Sequence, residues 1–187
     1  MIISLTGFMG AGKSSVAPII AEILGFSFYD LDQLIEEREG LTVQDIFSRY
    51  GEEWFREAES RTLLSIMEKG SSGEIGSRDA IISDIVLSLG GGTLIRPSNR
   101  TILKEGSFCV YLRARPETIA VRVLAGGQNR PLLRQKDNTD LIDKIRGMLN
   151  ERAEGYLESS SLVIDTDCLT VEECAEKIAD TFRLSLL

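Results

Sequence analysis

A glycine-rich segment close to the amino terminus restricts this chain to very few folds. Residues 7–14 read GFMGAGKS and fit the phosphate-binding pattern G-x-x-x-x-G-K-[ST]. An apolar run, Ile2–Thr6, precedes the segment, and apolar residues at helical spacing follow from Lys13 to Leu24. A strand, a glycine loop and a helix in this order allow backbone N–H groups to surround phosphate oxygens. The pattern therefore predicts an ATP-binding P-loop, and the flanking strand and helix argue against a chance glycine turn.

The side chains of this segment predict a site for a nucleotide and its metal ion. Lys13 is expected to bridge the outer phosphates. Ser14 is expected to offer a hydroxyl oxygen to Mg²⁺, which otherwise keeps water and phosphate ligands. Ser15 is expected to support the α-phosphate. The predicted cofactors are ATP and Mg²⁺, and the loop residues predicted to bind them are Gly10, Ala11, Gly12, Lys13, Ser14 and Ser15.

The composition argues against several other functions. The 187 residues suit a single domain, and 21 basic against 29 acidic residues give a net charge of −8, which disfavours nucleic-acid and anionic-membrane partners. The chain has no histidine, which excludes Ser-His-Asp and Cys-His catalysis and metal sites built on imidazole. Three irregularly spaced cysteines are typical of a protein in a reducing compartment. The sequence also has no apolar stretch of about 18 residues, the length that a membrane span requires. We therefore expect a cytoplasmic monomer that acts on small molecules.

Strands and helices alternate along the chain, which predicts a parallel sheet covered on both faces, with ligands at the carboxyl ends of the strands. Gly70–Asp79 is predicted to be a loop, and Ala125–Asn138 to be a lid. Strands are predicted at Ile2–Thr6, Phe26–Tyr29, Ile81–Leu89, Phe108–Leu112 and Leu162–Ile164. Helices are predicted at Lys13–Leu24, Leu31–Arg38, Thr42–Tyr50, Glu52–Lys69, Pro116–Leu124, Leu141–Leu157 and Val171–Leu184, and another begins at Pro97.

Two carboxylates follow the second predicted strand. Asp30 and Asp32 would lie at the same edge of the sheet as the P-loop, on the side of the γ-phosphate. One of them can serve the metal while the other meets the phosphoryl acceptor. The alternative is that Asp32 only caps the helix that follows, a common role for aspartate.

Three further groups fit both a structural and a functional interpretation. Arg56 and Glu59 share one face of a helix, which suits a surface salt bridge as well as a substrate contact. The run Gly90–Gly92 permits close approach of a substrate to the backbone, or forms only a flexible turn. Arg152 and Tyr156 also share a helix face and could be a solvated pair. None of these groups decides the function alone.

Taken together with the P-loop, these groups make the chain resemble the shikimate kinase family over nearly its entire length. The chain departs from that family at Val123, where many members carry an arginine that stacks on adenine. Arg122 is the adjacent candidate for this nucleotide contact. The segments that match, in order, are residues 7–15, 30–32 (DLD), 55–59 (FREAE), 87–92 (LSLGGG), 130–133 (RPLL) and 152–156 (RAEGY).

The resemblance implies a role for each matching side chain. Arg56 and Arg152 would hold the carboxylate of shikimate, a pairing that suits two guanidinium groups. Asp32 would bind the ring hydroxyls and act as the base for the attacking 3-hydroxyl. Asp30 would reach Mg²⁺ through water, with Ser88 beside it, and Arg130 would close over the phosphates from the lid. The backbone of Gly90, Gly91 and Gly92 completes the implied substrate site, and Asp165–Asp167 resembles the segment that borders adenine.

The same resemblance implies an α/β, P-loop nucleoside-monophosphate-kinase-like fold with strand order 2-3-1-4-5. A substrate-binding insertion near residues 33–61 and a lid near 125–138 would complete one domain. The implied reaction is ATP plus shikimate giving ADP plus shikimate 3-phosphate, toward chorismate and the aromatic amino acids. The rival interpretations are a kinase for gluconate or a nucleoside monophosphate, and a non-catalytic nucleotide-binding module. A GTPase is disfavoured because the chain lacks N-K-x-D.

Overall fold

A five-stranded parallel sheet forms the centre of the computed structural model, which describes residues 1–72, 84–125 and 138–187. Its order is β2-β3-β1-β4-β5, which confirms the order expected for the family that the sequence resembles. The central strand, β1, is buried along its whole length, as parallel strands covered on both faces are. The strands are β1 (Ile2–Thr6), β2 (Ser27–Asp30), β3 (Ile85–Ser88), β4 (Phe108–Arg113) and β5 (Leu162–Asp165).

Helices cover both faces of this sheet because its apolar side chains alternate between them. In β3, Ile85 and Leu87 pack with α2 and α3, whereas Val86 packs with α1 and α7. A third apolar cluster joins α5 to α6. Within the described ranges no helix is both long enough and apolar enough to cross a membrane. The helices are α1 (Lys13–Leu24), α2 (Leu31–Glu39), α3 (Val43–Ser72), α4 (Pro97–Gly106), α5 (Pro116–Ala125), α6 (Asn138–Ser159) and α7 (Val171–Ser185), with a 3₁₀ turn at Thr93–Ile95.

The observed elements differ from the predicted ones mainly at their ends. Helix α3 is interrupted at Gly51, where φ is 83°, so the prediction of two helices there is confirmed. Its second part continues to Ser72, beyond the predicted start of a loop at residue 70. Ala125 ends α5 and Asn138 begins α6. Residues 73–83 and 126–137 lie outside the described residues, and with them most of the predicted loop, most of the predicted lid, and Arg130.

Candidate active site

One cavity of about 690 Å³ brings together nearly all of the predicted site residues. It opens at the carboxyl ends of β1, β2 and β3, where the parallel-sheet argument places a ligand site. Its volume is within the range usual for small-molecule pockets. The predicted residues that line it are Gly10, Ala11, Gly12, Lys13, Ser14, Ser15, Asp30, Asp32, Arg56, Ser88, Gly90, Gly91, Gly92, Arg122 and Arg152.

The loop between β1 and α1 curls tightly because its glycines adopt conformations closed to other residues. Gly7 has φ of 140°, and a Cβ there would lie 2.5 Å from the carbonyl oxygen of Leu112. Gly12, directly before α1, has φ of 104°. Both positions therefore require glycine. At the start of α1 the N–H groups of Ser15 and Val16 both donate to the carbonyl oxygen of Gly12, and the residues of this first turn line the cavity.

Lys13 lies inside this curl rather than on the surface. Lys13 is only 8% exposed. Its Nζ donates to the carbonyl oxygens of Gly7 (2.8 Å) and Phe8 (3.1 Å). These contacts hold the ammonium group at the wall of the cavity. The neighbouring Ser14 is exposed and lines the same cavity. The arrangement concentrates positive charge where a polyphosphate would enter.

The two carboxylates after β2 have different tasks. Asp30 caps α2, because its Oδ1 accepts hydrogen bonds from the backbone N–H groups of Asp32 (3.0 Å) and Gln33 (3.4 Å). The alternative that Asp32 is the helix cap is therefore wrong. Asp32 lines the cavity, and its buried Oδ1 has no hydrogen-bond partner within the described ranges. A buried acceptor in that condition suits a hydroxyl-bearing ligand.

The surroundings of Asp32 raise the pKa of its carboxyl group from 3.8 to about 6. Burial is the largest cause, and the negative charges of Asp30 and Glu59 add to it. Lys13 and Arg56 act in the opposite direction. The group is therefore largely ionised at pH 7 yet is a better proton acceptor than an exposed carboxylate, which is the property a general base requires.

Arg56 is half of a buried ion pair, not of a surface salt bridge. Its Nη1 donates to Oε2 of Glu59 at 2.9 Å, and Glu59 is fully buried. Glu52 accepts at 3.2 Å from Nη2 on the solvent side. Burial alone would lower the pKa of Arg56, but the pairing with Glu59 and Glu52 raises it instead. The guanidinium group is thus charged, oriented and placed in the cavity wall.

Arg152 reaches the same cavity from α6. Its Nη1 donates to the carbonyl oxygen of Gly91 (3.1 Å), and its Cζ lies 5.6 Å from the centre of the Phe8 ring. The Tyr156 hydroxyl donates to the same carbonyl at 2.6 Å, and its ring stacks on Tyr111. Burial raises the pKa of Tyr156 to about 12. The alternative of a solvated pair is wrong, since Tyr156 is 1% exposed.

The triple glycine after β3 is required by close contacts and is more than a flexible turn. A Cβ at Gly90 would lie 2.9 Å from Oε1 of Glu59 and 3.0 Å from Oδ1 of Asp32. A Cβ at Gly92 would lie 2.3 Å from Nη2 of Arg56. Side chains at these positions would therefore push the carboxylates and the guanidinium group out of place. The glycines allow α2 and α3 to present these groups directly to the cavity.

Arg122 borders the P-loop end of the cavity. Its Nη1 donates to Oγ1 of Thr166 (2.9 Å), and its Nη2 donates to the carbonyl oxygen of Thr166 (2.7 Å). A longer contact of 3.4 Å joins Nη1 to the carbonyl oxygen of Ala11. The guanidinium group thus connects the P-loop with the segment after β5, which is the segment that resembles an adenine border.

Sequence reasoning did not assign roles to several residues of this site. The sequence indicates for Glu59 a helix face shared with Arg56 but no burial, and no pattern marks Thr93, although it directly follows the triple glycine. Phe8 occupies a variable position of the P-loop pattern. No local pattern marks the remaining side chains, because only the tertiary fold brings them to the cavity. These lining residues are Val43, Phe47, Leu169, Thr170, Val171 and Cys174.

Comparison with known proteins agrees with this geometry. A family model described as shikimate kinase matches residues 9–183. The shikimate kinase of Geobacter sulfurreducens is 38% identical over 179 residues, which cover 96% of this chain and 89% of that protein.

Solved structures give the same result. A shikimate kinase from Acinetobacter baumannii in complex with shikimate is 33% identical, with a TM-score of 0.83 over 100% of this chain and 94% of that one. The shikimate kinase from Bacteroides thetaiotaomicron is 29% identical, with a TM-score of 0.84 over 98% of both chains. Family model, relatives and fold all extend over the residues that form the cavity, and the chain belongs to the shikimate kinase family.

Proposed function

We propose that this chain transfers the γ-phosphoryl group of ATP to the 3-hydroxyl of shikimate and so produces ADP and shikimate 3-phosphate for the synthesis of chorismate and the aromatic amino acids. The main support is that one cavity contains a P-loop, a buried carboxylate with an unsatisfied oxygen and two arginines. The proposal includes a monomeric enzyme located in the cytoplasm, which suits the irregularly spaced cysteines.

The nucleotide would bind with its phosphates in the P-loop. The backbone of Gly10, Ala11 and Gly12 would face the phosphate oxygens, with the start of α1 behind them. Lys13 would exchange its two carbonyl contacts for the outer phosphates and neutralise charge that develops during transfer. Ser15 would support the α-phosphate. Arg122, which already spans the loop and Thr166, would support the nucleotide toward its base.

The residues present suit a magnesium ion between nucleotide and protein. Ser14 and Asp30 line the cavity and offer the oxygen ligands that Mg²⁺ prefers. The helix-capping bonds of Asp30 engage Oδ1 only. Among the described residues no cluster of three acidic or sulfur ligands forms a complete metal site, which fits an ion that keeps water and phosphate oxygens. When bound, Mg²⁺ would neutralise phosphate charge, with Ser14 as ligand and Asp30 acting through water near Ser88.

The acceptor would bind on the other side of the γ-phosphate. Arg56 and Arg152 would hold its carboxylate by charge-assisted hydrogen bonds. The glycines of 90–92 would let the ring approach the backbone. The hydroxyl that attacks phosphorus would donate its hydrogen bond to Asp32 and transfer its proton there as the new P–O bond forms and the bond to ADP breaks. The γ-phosphoryl group would thus move to the 3-oxygen, ADP would be the leaving group, and the proton of the hydroxyl would be held by Asp32.

Two further parts of the proposal concern larger segments. Residues 33–61 contain most of α2 and the portion of α3 up to Arg61, and the part of α3 after Gly51 supplies Arg56 and Glu59. We assign to these residues the binding of the acceptor. Residues 125–138 would act as a lid. Arg130, which lies outside the described residues, would close over the phosphates and complete the charge neutralisation.

A panel of acceptors tests this function against its rivals. ADP release is measured in the presence of Mg-ATP and shikimate, quinate, gluconate or nucleoside monophosphates. We expect rapid ADP release when shikimate is the acceptor and slow release with each of the other acceptors. Comparable release with gluconate or a nucleotide would favour another small-molecule kinase. Tight ATP binding with no release for any acceptor would favour a non-catalytic module.

The two arginines lead to a prediction about affinity. Charge-assisted hydrogen bonds contribute about 1.5–3 kcal/mol each, so Arg56→Ala and Arg152→Ala should each weaken shikimate binding by roughly tenfold or more. Affinity for Mg-ATP should change much less, because the phosphates bind at the P-loop. Calorimetric titration with each ligand measures both effects.

Matched arginines on the same helices serve as controls. Arg61 on α3 and Arg146 on α6 form half-exposed ion pairs away from the cavity. Their replacement by alanine should leave shikimate affinity unchanged. If Arg56→Ala and Arg152→Ala remain folded and bind shikimate like the parent chain, the proposed carboxylate site is incorrect.

A further inference from the structure

We propose that Thr93 is a positioning residue for the acceptor site: its hydroxyl orients Glu59, and Glu59 in turn orients Arg56. Thr93 touches neither ligand in this arrangement, and it lies on the 3₁₀ turn directly after the triple glycine. The inference rests on the proposed function of Arg56 as a carboxylate-binding residue. It goes beyond that function by identifying the residues that fix the orientation of the guanidinium group.

The contact that carries the inference is fully buried. Thr93 and Glu59 are both 0% exposed, and Oγ1 of Thr93 lies 2.7 Å from Oε1 of Glu59. The other carboxylate oxygen, Oε2, accepts from Nη1 of Arg56 at 2.9 Å. Each oxygen of Glu59 is therefore bound to a different donor. The carboxylate joins the threonine hydroxyl to the arginine with no solvent between them.

Thr93 is itself held firmly. Its backbone N–H donates to Gly90, its carbonyl oxygen accepts from Nδ2 of Asn99 at 2.9 Å, and Asn99 is fully buried. A Cβ placed at the preceding residue, Gly92, would lie 2.3 Å from Nη2 of Arg56. The turn therefore touches both ends of the ion pair. A displacement of Glu59 would therefore also move Arg56, which donates to it.

The expected consequence follows from the cost of burial. A buried carboxylate that loses one hydrogen-bond donor is left with an unsatisfied charged oxygen, and the surrounding groups must rotate to compensate. The guanidinium group of Arg56 already donates to Oε2 of Glu59, and its rotation toward Oε1 would move it away from the acceptor. Loss of the hydroxyl should therefore lower the affinity for shikimate and leave the affinity for the nucleotide unchanged.

A purely structural role for the hydroxyl is the competing explanation. Oγ1 of Thr93 also lies 3.0 Å from the carbonyl oxygen of Gly90, and a hydroxyl has one proton to donate. If its function were to stabilise this turn, its removal would lower thermal stability without a selective effect on shikimate. The two explanations therefore predict different binding data.

The test uses Thr93→Val, which keeps the shape and removes the hydroxyl, and Thr93→Ser, which restores it. We expect Thr93→Val to weaken shikimate binding about tenfold in calorimetric titration, with Mg-ATP affinity within twofold of the parent. Thr93→Ser should bind shikimate with an affinity within threefold of that of the parent chain. Thr62→Val is the matched control, because Thr62 is 5% exposed and its hydroxyl has no partner in the described parts of the chain. It should bind shikimate like the parent.

Combination with Arg56→Ala separates the two explanations further. Once Arg56 is absent, Thr93→Val should change kcat/KM for shikimate by less than twofold. An undiminished effect in that background would contradict the inference. If Thr93→Val does not fold, Thr93→Ala takes its place in both measurements.

Parent-like shikimate affinity in a folded valine or alanine variant would also overturn the inference, and the proposed function would stand. Failure of the parent chain to bind or phosphorylate shikimate would overturn the proposed function instead.

Discussion

Replacement of Lys13 by alanine is expected to lower turnover to a small residual rate while the protein stays folded. The side chain holds its ammonium group against the carbonyl oxygens of Gly7 and Phe8 at the phosphate end of the cavity. Loss of one such preorganised positive group lowers kcat by roughly a hundredfold to a thousandfold. The lysine contributes little to the apolar clusters that stabilise the sheet. ADP release with saturating shikimate measures the rate, and circular dichroism verifies the fold.

A surface lysine provides the control for this experiment. Lys104 lies exposed on α4, and Lys104→Ala should retain parent activity. Near-parent turnover in folded Lys13→Ala would exclude a role for the P-loop lysine in phosphoryl transfer.

Replacement of Asp32 by asparagine is expected to lower kcat by about 10²–10⁴-fold, the usual contribution of a general base. The amide keeps the shape of the side chain but cannot accept the proton of the attacking hydroxyl. Shikimate affinity should fall less than kcat, because the two arginines remain. Steady-state kinetics with varied shikimate separates the two parameters. An unchanged kcat would show that Asp32 does not take part in the chemical step.

The same substitution should stabilise the protein, but only above acidic pH. The pKa of Asp32 is raised in the folded chain from 3.8 to about 6, chiefly by burial. The parent therefore loses stability as the pH rises from about 4 through 6, since the buried group must ionise. The difference between these pKa values corresponds to at most about 3 kcal/mol of unfolding free energy.

Denaturant unfolding at several pH values measures this effect directly. The stability of Asp32→Asn relative to the parent should increase between pH 4 and pH 7 and then remain constant. A relative stability that is the same at both pH values would contradict the raised pKa. Gain of stability together with loss of activity would identify Asp32 as a site where function opposes folding.

The strands and helices could be predicted from the sequence because their signals are local, whereas the strand order 2-3-1-4-5 followed only from the resemblance to the family. The P-loop pattern, the alternation of strands and helices and the short apolar runs all depend on neighbouring residues. Gly51 interrupts α3 at the position where two separate helices were predicted. Element ends were less accurate, as at β3, which begins at Ile85, because sheet pairing with β1 and β2 determines where a strand begins.

The candidate site could be predicted only in part. The carboxylates and arginines could be selected because their residue types match a phosphoryl-transfer site, but their burial depends on distant segments. Glu59 is fully buried and accepts a hydrogen bond from Thr93, which lies 34 residues away in the chain. Asp30 rather than Asp32 became the helix cap because β2 extends to Asp30. Such contacts arise from tertiary packing, and no spacing in the sequence encodes them.

Identification of the reaction product tests the central claim most directly. The parent chain is incubated with Mg-ATP and shikimate, and the products are followed by phosphorus and proton NMR. We predict one new phosphate monoester on the 3-hydroxyl of shikimate, formed in equal amount with ADP. Formation of ADP with an equal amount of inorganic phosphate and unmodified shikimate would contradict the account, as would phosphorylation at another hydroxyl.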